Sequence, residues 1–207
     1  VYVSFGLVLG AVPPLVVYLT EELHLTRTAM GSVLGAWQLI YIVFAIPAGV
    51  LIDRAGLRVT LAVGAGLIAL SGVLRAASVN HATLYLAVAV FGLGGPFISI
   101  GAPKLISSWF DTDELGTAMG IYLTAPSVGR IIALLTANPV LMPLYDSSWR
   151  LTLATYGGVA ALSGLTWWFV ARAAASKKPA NAAGRVPANS RTGIGDFVHL
   201  IRIRAVA

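Results

Sequence analysis

No cysteine occurs among the 207 residues, which excludes disulfide frameworks, thiolate metal sites and cysteine nucleophiles. Charge is scarce as well: Asp, Glu, Lys and Arg fill 11% of positions, where a soluble domain holds roughly 25%. None of the eight carboxylates falls inside a long apolar run; Glu21, Glu22, Asp53, Asp111, Asp113, Glu114, Asp146 and Asp196 all lie in polar breaks or in the polar tail. A proton relay within those runs therefore has no carboxylate to carry it. Paired acids and a nucleophile with its base are missing too, so the chain does not read as an enzyme. His24, His81 and His199 stand in separate hydrophilic stretches without ligand spacing, and no metal or other cofactor is expected.

What is abundant is apolar surface. Hydrophobic residues make up 57% of the chain, and too few charges lie between residues 1 and 172 to coat a water-soluble globule. The net charge of +6 does not imply nucleic acid, because the basic residues sit between apolar runs rather than among polar readout groups. The expected partner is a lipid bilayer. A spanning helix needs about 20 largely apolar residues, since roughly 30 Å of hydrocarbon is crossed at about 1.5 Å per residue. Six stretches qualify: Val1 to Leu19, Thr28 to Ile52, Val59 to Ala77, Thr83 to Trp109, Thr117 to Leu141 and Leu151 to Ala171. The expected fold is an all-α integral membrane bundle of six helices over residues 1–172.

Lys and Arg in short loops are retained on the cytoplasmic side. With the break after the second span and the tail on that side, it holds Arg54, Arg58, Arg172, Lys177, Lys178, Arg185, Arg191, Arg202 and Arg204, against Arg27, Arg150 and Arg75 on the other. The expectation is a multi-pass protein of the plasma or inner membrane with both ends cytoplasmic. Val1 already lies within an apolar run too long for a signal-peptide core, so it reads as a span whose preceding residues are missing. Residues 173–195, rich in Ala, Ser, Lys, Pro, Asn and Gly, read as a flexible basic linker. Residues 196–207 alternate basic and apolar side chains, as an amphipathic segment leading toward a seventh span would.

Internal repetition supports a built-up bundle. Thr28-Ala29-Met30-Gly31 of the second span returns as Thr117-Ala118-Met119-Gly120 of the fifth, and at the same offset Leu34 matches Leu123, Ala36 matches Ala125 and Pro14 matches Pro103. The reading is two three-helix inverted repeats, an architecture that places a substrate at the repeat interface near mid-membrane.

Between the second and third spans the chain reads Gly49-Val50-Leu51-Ile52-Asp53-Arg54-Ala55-Gly56-Leu57-Arg58-Val59. This resembles the signature loop of the major facilitator superfamily: a glycine, three residues, Asp, a basic residue, any residue, Gly, any residue, Arg and a final basic residue, which here is Val59. The junction Pro103-Lys104-Leu105-Ile106-Ser107-Ser108-Trp109-Phe110 with Asp113-Glu114-Leu115-Gly116 is similar to that of facilitators carrying nitrate, cyanate or organic anions, with Leu115 where they usually have Arg. Ala125-Pro126-Ser127-Val128-Gly129-Arg130 is similar to the antiporter motif, with Ala125 and Arg130 at glycine positions. The resemblance covers residues 1 to about 175 and implies the amino-terminal half of a twelve-helix protein whose two bundles rock about a central site. It implies that Asp53, Arg54 and Arg58, framed by Gly49 and Gly56, gate that motion through contacts with the other bundle. The plain alternative is a tight turn at Gly56 with arginines that only fix topology.

An ionisable side chain in hydrocarbon costs several kcal/mol, about 3 by insertion scales, and so marks a site lining a cavity. Arg130 lies about 20 Å along its span from Gly116, too deep for snorkelling. Its guanidinium suits a planar anion held through two parallel hydrogen bonds; the alternative is an arginine tied to backbone carbonyls. At Lys104, snorkelling competes with attraction of substrate, and Arg75, near the far end of its span, is expected at the outer interface. Trp37, Gln38 and Tyr41 offer an aromatic wall and hydrogen bonds to a small solute, or plain packing. The expected function is secondary active or facilitative transport of a small anion by alternating access. The rivals are an exporter of drug-like compounds from the same superfamily and a non-transporting six-helix module acting as a dimer or sensor. In the transport readings, the missing six-helix half or a second copy completes the site.

Overall fold

A computed structural model of the chain describes residues 1–175, and every regular element among them is helical. The first apolar stretch is split into α1 (Tyr2–Gly10) and α2 (Val16–Glu22) by a tight turn at Pro13–Leu15. Pro13 and Pro14 lack the N–H groups that would bond the carbonyls of Leu9 and Gly10 in a continuous helix, so the ladder stops there. There follow α3 (Arg27–Ala55), α4 (Leu57–Ala76), α5 (His81–Trp109) and α6 (Thr112–Thr136), the last running through a π turn at Ala137–Leu141 into the short α7 (Met142–Leu144). The final described helix is α8 (Trp149–Ala175).

Among the described residues, five segments are long and apolar enough to cross a membrane: Tyr2–Glu22, α3, α4, α5 and Thr112–Leu144. The sixth expected stretch is present as the 27-residue α8. It falls short of that measure of apolarity because hydroxyl and indole side chains such as Thr152, Thr155, Tyr156, Trp167 and Trp168 interrupt it. Its helix extends to Ala175, past the Ala171 end read from composition. The rest of the expected linker and the whole of segment 196–207 lie outside the described residues.

Local chemistry sets the helix ends. Thr26 Oγ1 accepts the Ala29 N–H at 3.1 Å to start α3. At α5, Asn80 Oδ1 accepts the Thr83 N–H at 2.9 Å while Thr83 Oγ1 accepts the Asn80 N–H at 3.1 Å, a reciprocal cap. One residue joins α3 to α4: Gly56, at φ +82°, a conformation closed to most side chains.

Lipid supplies no hydrophobic drive for pairing helices, so close approach through small residues has to hold the bundle. α1 packs along α6, and α3 and α4 pack on α5. A Cβ at Gly129 of α6 would strike the backbone of Val3 and Leu7, and one at Gly6 would strike the Pro126 carbonyl. α4 meets α8 the same way, where a Cβ on Gly72 would lie 2.5 Å from the Gly157 Cα. In their most apolar 18-residue stretches the first segment and α5 are 56% and 67% buried, whereas α3 and Thr112–Leu144 are each 17% buried. The outward faces of α3 and α6 are rows of bare Leu, Ile and Val such as Leu39, Ile42, Val43, Ile121 and Leu123. Patches of that extent mark contact with lipid or another apolar body.

Gly129→Val should cost about 1–3 kcal/mol by overpacking the α1–α6 contact. It should unfold measurably earlier than the parent in detergent, whereas Gly120→Ala, with nothing within 4 Å of its added Cβ, should not.

Candidate functional site

The break after α1, together with α3 and α6, bounds a cavity of about 330 Å³, and a second of about 290 Å³ adjoins it. Leu9, Trp37, Gln38 and Arg130 line both. That size sits at the low end of small-molecule sites, about 300–1,000 Å³.

α3 supplies three of these side chains from one turn. Trp37 and Tyr41, four residues apart, share a helix face, and their rings meet edge-on at 6.1 Å. The indole also lies edge-on to Phe91 at 5.9 Å, while the Tyr41 hydroxyl sits 2.6 Å from Ser99 Oγ. The wall is therefore held from behind by α5, and Gln38 is left exposed at its front. Arg130 comes from α6, directly after Gly129, and packs where α1 ends: a Cβ at Gly10 would be 3.0 Å from the Arg130 Cα. Arg130 is exposed, and the ion pairs among the described residues, Lys104–Asp53 and Arg150–Glu22, do not include it. The four sequence-derived residues Trp37, Gln38, Tyr41 and Arg130 are thus brought to one place.

The charge that sequence reasoning assigned to the outer interface has turned inward. Arg75 is 2% exposed, lines the larger cavity, and donates from Nη1 to the Val8 carbonyl at 2.7 Å. That carbonyl is available because α1 ends at Gly10, and its guanidinium carbon lies 5.2 Å from the Phe91 ring centre. A charged hydrogen bond contributes about 1.5–3 kcal/mol, and a desolvated cation–π contact about 2 kcal/mol. These offset an insertion cost near 3 kcal/mol, so the arginine is held without an acid. Its Nε nonetheless has no hydrogen-bond partner. A signal was there to be read: Ser71 and Arg75 fall at i and i+4 on one face of α4, and both are buried.

Lys104 lines neither cavity; its Nζ lies 2.7 Å from Asp53 Oδ1 and ties α5 to the end of α3. In the signature loop, the Arg58 guanidinium stacks on Trp168 at 4.7 Å and its carbonyl accepts the Trp167 Nε1–H at 3.4 Å, while Arg54 is exposed. Gly49 has open space beside it and Gly56 makes the turn. At the other ends of the helices, Glu22 accepts from Arg150 Nη1 at 2.6 Å and from Trp149 Nε1, and Arg150 Nη2 donates to the Ser78 carbonyl at 3.0 Å.

Apolar helices of spanning length around a mostly apolar cavity that admits two arginines define a multi-pass membrane protein. A family model described as "Major Facilitator Superfamily" matches residues 1–205, and the chain belongs to that family. It is similar to the probable L-galactonate transporter of Escherichia coli (strain K12), with 27% identity over 154 residues, 73% of this chain and 33% of that protein. It is also similar to the probable anion transporter 3, chloroplastic, of Arabidopsis thaliana, with 33% identity over 135 residues, 64% and 25% of the two chains. The hexuronate transporter of Bacillus subtilis (strain 168) is 24% identical over 156 residues, 73% and 35% of the two chains. The chain spans about a third of the length of the first of these relatives.

With its partners 46% and 68% exposed, the Lys104–Asp53 pair should show a coupling of only about 0.2–1 kcal/mol. A double-mutant cycle with Lys104→Met and Asp53→Asn, read by unfolding in detergent, measures it directly.

Proposed function

We propose that this chain is the amino-terminal six-helix bundle of a transporter that carries a small organic anion of the sugar-acid class by alternating access. The observation that carries the reading is Arg130: an exposed guanidinium, outside both ion pairs, deep in an apolar segment and facing a cavity beside Trp37, Gln38 and Tyr41. Its two parallel donors fit a carboxylate, while the Gln38 amide and the Trp37 ring suit the hydroxyls and C–H faces of a polyol. The relatives named for L-galactonate, D-galactonate, hexuronate and galacturonate support that class. A cationic drug-like solute is disfavoured by repulsion from Arg130 and Arg75.

A second bundle, in the same polypeptide or from a second copy, covers the apolar faces of α3 and α6 and closes the site. Three-plus-three construction is supported by burial: in their most apolar 18-residue stretches the first and fourth segments are 56% and 67% buried, the second and fifth 17% each. α8 completes the six. Asp53, Arg54 and Arg58 steady one state through contacts with that second bundle, and a few such contacts suffice to bias states of similar energy. In the closed loop seen here, Lys104 holds Asp53, so the lysine acts as that carboxylate's alternative partner and reaches the solute only by long-range attraction. Both chain ends lie in the cytoplasm.

Proteoliposomes containing the full-length protein should accumulate labelled D-galactonate, with Arg130→Ala lowering the initial rate at least tenfold and Arg130→Lys retaining part of it. Unchanged uptake in a folded Arg130→Ala protein would reject the assignment, and no uptake by the parent would favour a non-transporting module. Ala55→Cys, placed in a full-length protein from which any other cysteine has been removed, reports topology: it should react with a membrane-impermeant maleimide in inside-out vesicles and resist it in intact cells.

A further inference from the structure

Arg75 has no part in the reading above beyond its charge, yet its placement is that of a binding group. It is 2% exposed, shares the larger cavity with Arg130, and comes from a different helix. Its orientation is set before any solute arrives, by the Val8 carbonyl and the Phe91 ring. A donor held in advance loses little freedom on binding. Nε is left unsatisfied, and a buried donor without an acceptor is a standing penalty that a ligand oxygen can relieve.

We propose that Arg75 is a second solute-binding residue, which reads the hydroxyl-bearing end of an elongated acid whose carboxylate is held by Arg130. This rests on the reading of the chain as a sugar-acid transporter and adds to it a rule of length. The solute must carry oxygen acceptors at both ends, far enough apart to meet cations on α4 and α6 at once. Trp37 and Gln38, which line the space shared with Arg130, flank the middle of the solute. A hydroxy acid too short to bridge the two would meet one guanidinium only. Arg75 thereby sets selectivity between long and short acids, since a site built to hydrogen-bond a solute group discriminates against an analogue that lacks it.

The test compares two probes in proteoliposomes of the full-length protein: D-galactonate, long enough for both cations, and glycerate, long enough for one. Arg75→Gln should raise the KM for D-galactonate at least tenfold while changing that for glycerate less than twofold. Arg75→Lys keeps the charge and loses the fork, and should show the same selective effect at smaller size; it also serves if the glutamine variant does not fold. Equal impairment of both acids by the lysine variant would assign Arg75 to bracing α1 and overturn the proposal, as would no effect on either. Failure of the parent protein to transport either acid overturns the sugar-acid reading and this inference together, whereas parent uptake that both variants leave untouched overturns this inference alone.

Discussion

An arginine in a hydrocarbon slab persists only where dipoles, ring faces or counter-charges stand in for the water it has lost. The bundle supplies them through a single local event, the break in its first apolar segment. α1 ends at Gly10, just before two consecutive prolines, and the Val8 carbonyl there, reached by the Ala11 N–H at 3.4 Å, also takes the Arg75 guanidinium at 2.7 Å. The same break puts Gly10 against Arg130. On the far side of the prolines the Asn138 amide donates to the Pro14 carbonyl at 3.0 Å, so a π turn in one segment is stitched to the broken turn in another. The close contact of Gly6 and Gly129 keeps α1 and α6 near enough for all of this.

Charge is sorted by depth. Ion pairs occur at the ends of the described helices: Glu22 with Arg150 beside the α3 start, and Asp53 with Lys104 beside its end. Both are partly solvated, where such pairs contribute about 1 kcal/mol or less, so they bias geometry more than they stabilise the fold. The larger cavity holds two cations, Arg75 and Arg130, and no acid among its lining residues. An environment of that kind concentrates negative solutes.

Much of this architecture is legible along the chain. The apolar runs are long enough to be spans by length alone, their breaks carry Thr26, Asn80 and Gly56 where caps and a left-handed turn occur, and the loop around Asp53 is a recognisable pattern. Trp37, Gln38 and Tyr41 line one cavity together, since a single helix fixes their relative azimuth. Two features escaped. Lys104 found Asp53, a partner 51 residues away that no spacing rule could name. Arg75 turned toward the core, although its distance from the helix end alone would also permit it to reach outward.

The sequence by itself determined the solvent and the presence of several long apolar helices, since these follow from apolar run length and the prohibition on unpaired backbone groups in lipid. It also placed a lone cation deep in α6. Only the tertiary structure decided which cations share a cavity, because the direction of a side chain depends on what its neighbours leave open: a carbonyl at Val8, a ring at Phe91 and a missing Cβ at Gly10. Those are relations between segments more than 60 residues apart in the case of Arg75 and Val8, and periodicity within one helix carries no information about them.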